Sequence, residues 1–74
     1  MTVELDACGL LCPLPVLKAR KRLKSLLVGE ILALRTDDPA AVVDVPHFCN
    51  ESGHRLVKMV DEGQGRTLYL IEKI

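Results

Sequence analysis

The chain has 74 residues, 49% hydrophobic and 27% charged, a profile typical of one small globular domain with a modest core and little room for a deep substrate cavity. Ten basic residues balance ten acidic ones, so the strong basic excess of most nucleic-acid-binding modules is missing. We therefore interpret residues 1–74 as a single domain, and a small carrier or binding module is favoured over a large enzyme.

The N-terminal part predicts a strand that leads through a short turn into a helix. Residues 3–7 alternate between apolar and acidic side chains, as a half-buried strand does. The helix is expected to begin just after Cys12, because Pro13 suits the first helical position and Pro15 still falls in the first turn. Gly29 is its expected stop signal. An apolar stripe at helical spacing consists of Val16, Ala19, Leu23 and Leu26/Leu27.

The remaining chain predicts a strand, a second helix and a hairpin. Residues 31–36 are apolar on both faces, which indicates a central strand, and a turn follows at residues 37–39. Pro46 is expected to kink or restart the second helix, with Asp44 as a cap. Two further strands are expected at residues 56–60 and 67–71, around Gly63 and Gly65. The second helical stripe comprises Ala41, Val42, Val45, Phe48 and Cys49, and it ends near Gly53.

The order of these elements is strand, helix, strand, helix, strand, strand. Crossover helices favour parallel pairing of the early strands, and the terminal hairpin adds an antiparallel strand. With only two helices, both should cover one face of the sheet. The predicted fold class is α/β (α+β), a two-layer sandwich with a mixed four-stranded sheet and two helices on one face.

Nothing near the N-terminus predicts export or membrane insertion. The first ten residues include Glu4 and Asp6 and no basic segment, unlike a signal peptide. The longest uncharged run, residues 7–17, is shorter than the roughly 20 residues needed to cross a bilayer. We therefore expect a cytoplasmic protein without membrane contact, whose cysteines stay reduced.

The segment with the clearest chemical meaning is Cys12-Pro13-Leu14-Pro15. Cys12 lies between a strand end and a helix start, where the positive end of the helix dipole favours thiolate over thiol. Pro15 occupies the position at which a dithiol redox motif has its second cysteine. A sulfur atom bound to Cys12 would therefore not be expelled from within the same turn, which suits a persulfide carrier. The alternative is that Cys12 is a buried, inert small hydrophobe.

Several segments resemble the TusA/SirA family of sulfur carriers, and the resemblance extends over essentially the whole chain. It implies a two-layer sandwich similar to the C-terminal domain of a bacterial translation initiation factor. It also implies that Cys12 accepts sulfane sulfur from a cysteine desulfurase or rhodanese-like donor and passes it to a relay protein, towards tRNA thiolation, sulfur oxidation or cofactor synthesis. No metal or organic cofactor is implied. The matching segments are residues 5–17 (LDACGLLCPLPVL), 37–40 (DDPA), 44–49 (DVPHFC) and 53–54 (GH).

Other residues around this motif have two interpretations each. Cys8 is either a resolving thiol for Cys12 or an accessory residue, and Cys49 is expected in the core because it falls on an apolar stripe. The set Cys8, Cys12, His47 and Cys49 lacks the paired spacing of common zinc sites, so no metal site is predicted. Gly9, Pro13 and Pro15 are expected to support the turn. Lys18, Lys21 and Arg22 form either a docking surface for acidic partners or the solvated face of a helix.

Two other functions compete with sulfur carriage. An RNA-binding module would use the basic helix, but Phe48 looks buried and Tyr69 is the only other aromatic residue, so no base-stacking platform is evident. A dithiol redox protein would pair Cys8 with Cys12. Asp37 and Asp38 are interpreted as turn and cap residues rather than a catalytic pair. The sequence thus favours a carrier with little turnover of its own over an independent enzyme.

Overall fold

The computed structural model describes residues 1–74, and it contains the six predicted elements in the predicted order. The predicted fold class is confirmed, with two helices packed on one face of a mixed four-stranded sheet. Neither helix is long and apolar enough to cross a membrane. The elements are β1 (Thr2–Asp6), α1 (Leu14–Lys24), β2 (Ile31–Thr36), α2 (Ala41–Ser52), β3 (Arg55–Gly63) and β4 (Arg66–Glu72).

The strands lie in the order β1-β2-β4-β3. β1 pairs with β2 in parallel, as the crossover through α1 predicts, and β2 is central. The last strand, β4, lies antiparallel between β2 and β3, so β3 becomes an edge strand although it directly follows α2. The hairpin closes at Gln64 and Gly65, which both have positive φ, the combination that a tight two-residue turn requires.

The core lies between the helices and the face of the sheet that β2 and β4 turn towards them. Leu32 lies opposite Ile71, and Leu34 opposite Tyr69, and all four side chains are completely buried. Each fully buried aliphatic side chain stabilises the fold by about 1.5–3 kcal/mol. The helices contribute Ala19, Leu23, Ala41, Val45 and Cys49 to the same cluster.

α1 begins one residue later and ends earlier than predicted. Pro13 is the N-cap rather than the first helical residue, and Pro15 is buried in the first turn. The helix ends at Lys24, because the chain there must turn back to reach β2. Leu27 is therefore outside the helix and 73% exposed, not part of the stripe. Gly29 lies in the connection, with φ of +92°, and donates its N–H to the carbonyl of Lys73 at 2.8 Å.

The predicted break at Pro46 is wrong, because α2 runs without interruption across it. A proline inside a helix costs about 3 kcal/mol, but the flanking Val45 and Cys49 are buried and each adds stabilisation of similar size. Asp44 is not a cap, since it lies inside the first turn. Gly53 does end the helix, with φ of +79°, as predicted.

Replacing Tyr69 by phenylalanine tests the packing at the centre of the sheet. The Tyr69 hydroxyl is buried without a hydrogen-bond partner, so its burial is a net cost. We expect Tyr69→Phe to leave the free energy of unfolding in urea unchanged or to raise it by about 1 kcal/mol. Leu34→Ala, at the position opposite on β2, should lower it by about 2–5 kcal/mol. A clear loss of stability in Tyr69→Phe would contradict this description of the core.

Candidate functional site

The connection from β1 to α1 is held by three carboxylates. Asp6 Oδ1 accepts the backbone N–H of Cys8 at 3.0 Å, and Asp37 Oδ1 accepts that of Gly9 at 2.9 Å. Gly9 has a φ of +83°, in the left-handed region that glycine adopts without strain. Asp38 Oδ2 accepts the backbone N–H of Cys12 at 2.6 Å. These hydrogen bonds therefore fix the backbone of the loop at both ends, at residues 8–9 and at residue 12.

Asp38 joins three segments of the chain at this point. Its second carboxylate oxygen, Oδ1, accepts the N–H of Ala40 at 3.1 Å, just before α2 begins. Its own N–H donates to Thr36 Oγ1 at 3.2 Å, at the end of β2. The residue is only 9% exposed. The sequence predicts Asp38 as a turn and cap residue but does not predict its contact with Cys12, because the two residues are 26 positions apart in the chain.

Cys12 is exposed and opens onto a groove between the start of α1 and the outer side of α2. The groove has a volume of about 300 Å³. Its walls combine apolar side chains with acidic ones. Phe48, which the sequence suggested was buried, is half-exposed here, and its ring centroid lies 6.3 Å from that of His54. The lining residues are Cys12, Pro13, Val16, Asp44, His47, Phe48 and Glu51.

The electrostatic environment of Cys12 differs from the sequence-based expectation. Asp44, as a hydrogen-bond acceptor, raises the pKa of the Cys12 thiol above its usual value. Partial desolvation and the negative charges of Asp44 and Asp38 act in the same direction. These carboxylates oppose the effect expected from the helix N-terminus, so the free protein favours the thiol over the thiolate. Local sequence patterns do not predict this rise in pKa, because Asp44 reaches the site from α2.

The other two cysteines have different surroundings, and all three thiols are free. Cys8 is half-buried, and its pKa is raised first by burial and then by Asp6. Cys49 is 3% exposed, and burial raises its pKa to about 11, so it packs as a core residue as predicted. No three His, Cys, Asp or Glu side chains come together in an arrangement that could hold a metal ion.

The predicted docking residues lie on a different surface. Lys18, Lys21 and Arg22 line a separate hollow of about 240 Å³ against β1, and this hollow shares no residue with the Cys12 groove. No basic residue of α1 forms an ion pair. α1 therefore presents uncompensated positive charge beside β1, whereas the groove on its other side carries acidic residues.

Comparisons with known proteins show the family and the fold of the chain. The family model described as "Sulfurtransferase TusA" matches residues 3–73. The chain is 41% identical over 70 residues to the "Sulfur carrier protein TusA" of Allochromatium vinosum, covering 95% of this chain and 91% of that protein. A crystal structure of a SirA-like protein from Desulfitobacterium hafniense superposes with a TM-score of 0.84 at 23% identity, covering 97% of this chain and 96% of that one. The comparison with the SirA-like structure supports the fold alone.

Removing the Asp38 carboxylate tests how the loop is held. Asp38→Ala leaves the N–H groups of Cys12 and Ala40 without their acceptor, so we expect the free energy of unfolding to fall by about 1–3 kcal/mol. Amide hydrogen exchange at Cys12 should accelerate in the same variant. Asp61→Ala is the matched control, since Asp61 accepts one exposed N–H from Gly63 at 2.9 Å in the distant hairpin.

Asp61→Ala should lower the free energy of unfolding by less than Asp38→Ala does, and it should leave amide hydrogen exchange at Cys12 unchanged. Equal losses of stability in both variants, with no change in exchange at Cys12, would show that the carboxylate does not hold the loop.

Proposed function

The chain belongs to the TusA family of sulfur carriers, and from this premise we propose that Cys12 carries sulfur as a persulfide between partner proteins. The observation that carries the proposal is the placement of Cys12. It is the one cysteine that is exposed, and it opens onto a groove at the N-terminal end of a helix. Its backbone is fixed by Asp38. A sulfur atom on this side chain is therefore accessible to a partner while its position is defined.

The transfer step conserves atoms and electrons. The Cys12 thiolate attacks the outer sulfur of a persulfide on the donor protein, so a new S–S bond forms at Cys12 while the donor's S–S bond breaks. The donor cysteine leaves as a thiolate and takes up a proton equivalent to the one that Cys12 has lost. A thiolate on the acceptor then removes the outer sulfur from Cys12 in the same way, and no external oxidant or reductant is required.

The surroundings of Cys12 favour a carrier over a dithiol redox protein. Pro15 occupies the position three residues on, and Cys49 is buried in the core. Cys8 is near in sequence, but its N–H is bonded to Asp6 whereas that of Cys12 is bonded to Asp38. Pro15 and Cys49 therefore supply no thiol that could displace the bound sulfur, Cys8 and Cys12 form no disulfide, and in this proposal release of the sulfur depends on a partner.

The partners follow from the chemistry of this step and from the family. The donor is a protein that makes persulfides, of the cysteine desulfurase or rhodanese-like class, and the acceptor is another cysteine-bearing relay protein. Gly9, Pro13 and Pro15 support the turn in this proposal, and Cys8 is an accessory residue. The unpaired cations Lys18, Lys21 and Arg22 are available to a partner that extends past α1 towards β1. An RNA-binding function gains no support at the groove, where the charged residues are acidic apart from His47.

Sulfur loading of Cys12 can be measured by intact-mass spectrometry. After incubation with a cysteine desulfurase and cysteine, the wild-type protein should gain the mass of one sulfur atom, and a reductant should remove it. Cys12→Ser should gain nothing. Cys8→Ser is the matched control and should load as the wild type does, because Cys8 is half-buried and carries no sulfur in this proposal.

Loading of Cys12→Ser would contradict the assignment of the carrying residue. Loss of loading in Cys8→Ser, together with a Cys8–Cys12 disulfide after mild oxidation, would favour the dithiol redox function instead. If none of the proteins loads from a desulfurase, or from a rhodanese with thiosulfate, the carrier function itself is contradicted.

A further inference from the structure

The groove beside Cys12 contains a negative charge that has no partner. Asp44 lines it and forms no ion pair, whereas Glu51 lies 3.6 Å from His47 Nε2 on the next turn of α2. Asp38 adds a second carboxylate, but its oxygens accept the N–H groups of Cys12 and Ala40. Asp44 is therefore a half-buried acidic group at this site that has no cationic partner within the protein.

This charge is unfavourable for sulfur transfer in the free protein. A thiolate and a persulfide are both anions in their reactive forms, and a carboxylate nearby repels them. Asp44 accordingly stabilises the protonated form of Cys12. The groove also has apolar walls at Val16 and Phe48, which would be covered when a partner docks. Docking would exclude water from the groove and strengthen every electrostatic interaction inside it.

We propose that Asp44 is a positioning residue for docking, and that a Lys or Arg of the docked partner pairs with its carboxylate in the groove beside Cys12. This inference rests on the proposed function and specifies its partners. A fitting partner presents a cation beside its own cysteine, with an apolar side chain that covers Val16 and Phe48. Charge complementarity with the unpaired Asp44 selects this occupant over an acidic one.

The proton balance is the same as in the transfer step described above. When the partner's cation pairs with Asp44, the carboxylate no longer stabilises the S–H bond of Cys12. The proton leaves Cys12, and the departing thiolate of the donor takes up its equivalent. The Cys12 sulfur is thus activated in the complex and remains a thiol in the free chain, where it reacts slowly with oxidants.

Three thiol reagents with the same reactive group and different charge test the role of Asp44 without any partner protein. Methanethiosulfonates with a trimethylammonium, a methyl or a sulfonate group form a mixed disulfide with the thiolate and release methanesulfinate. We would measure their rates by mass spectrometry in a Cys8→Ser background, so that Cys12 is the accessible thiol. The cationic reagent stands for the partner's Lys or Arg.

The expected result is a preference of Cys12 for the cationic over the anionic reagent that falls about tenfold in Asp44→Asn. The rate with the neutral reagent should rise at pH 7 in that variant, and its midpoint against pH should move down. The sign follows from the loss of an acceptor and of negative charge, which lowers the pKa of Cys12. Glu51→Gln is the matched control and should change the charge preference by about twofold or less, because Glu51 is exposed to solvent and is not among the carboxylates that raise the pKa of Cys12.

An unchanged charge preference and an unchanged pH midpoint in Asp44→Asn would overturn the proposal. A merely structural role for Asp44 would change the rates with all three reagents alike and leave the midpoint where it is, which also overturns it. These reagents react with Cys12 whether or not the protein carries sulfur. A failure to load sulfur in the mass measurement would therefore contradict the proposed function, and the reagent test of Asp44 could still be interpreted.

Discussion

The arrangement of the site depends on the hydrogen bond from the Cys12 N–H to Asp38. It is possible because β1 and β2 are parallel neighbours, so the loops that follow them leave the sheet at the same edge. The Ala7 N–H extends the pairing by donating to the Arg35 carbonyl at 2.8 Å. Asp38 then connects the first loop to the start of α2. The topology of the sheet thereby places the loop that bears Cys12 against the helix that supplies Asp44.

The neutral total charge conceals a separation of charge across the molecule. α1 contains basic residues and no acidic one, and none of these cations is paired. The Cys12 groove on its other side is lined by Asp44 and Glu51. A partner that covers Cys12 and extends along α1 therefore meets both signs of charge. Such a pattern fixes the orientation of docking more than it increases affinity, which suits the proposed role of binding two partners in turn and releasing both.

Local patterns were sufficient to predict the elements and insufficient to predict the site. The bounds of β2 and the end of α2 at Gly53 follow from periodicity and a stop residue, and the structure confirms them. The predicted break at Pro46 is wrong because tertiary packing outweighs the cost of a proline inside the helix. The raised pKa of Cys12 likewise depends on tertiary structure, which local patterns do not contain. It depends on Asp44, which is distant in the chain and comes close only after β2 has paired with β1. The placement of Cys12 at a helix start could be predicted, because it is local, whereas the sequence left open whether its side chain is exposed or buried.

A raised pKa at Cys12, the proposed carrying residue, is consistent with a carrier and would be a defect in an enzyme. An enzyme acts on free substrates and gains from a nucleophile that is always ionised. A carrier meets many thiols and oxidants between its partners, and a permanent thiolate would react with them. In the proposed function, the acidic groove thus disfavours ionisation of Cys12 until a partner docks and brings a persulfide to the same sulfur atom.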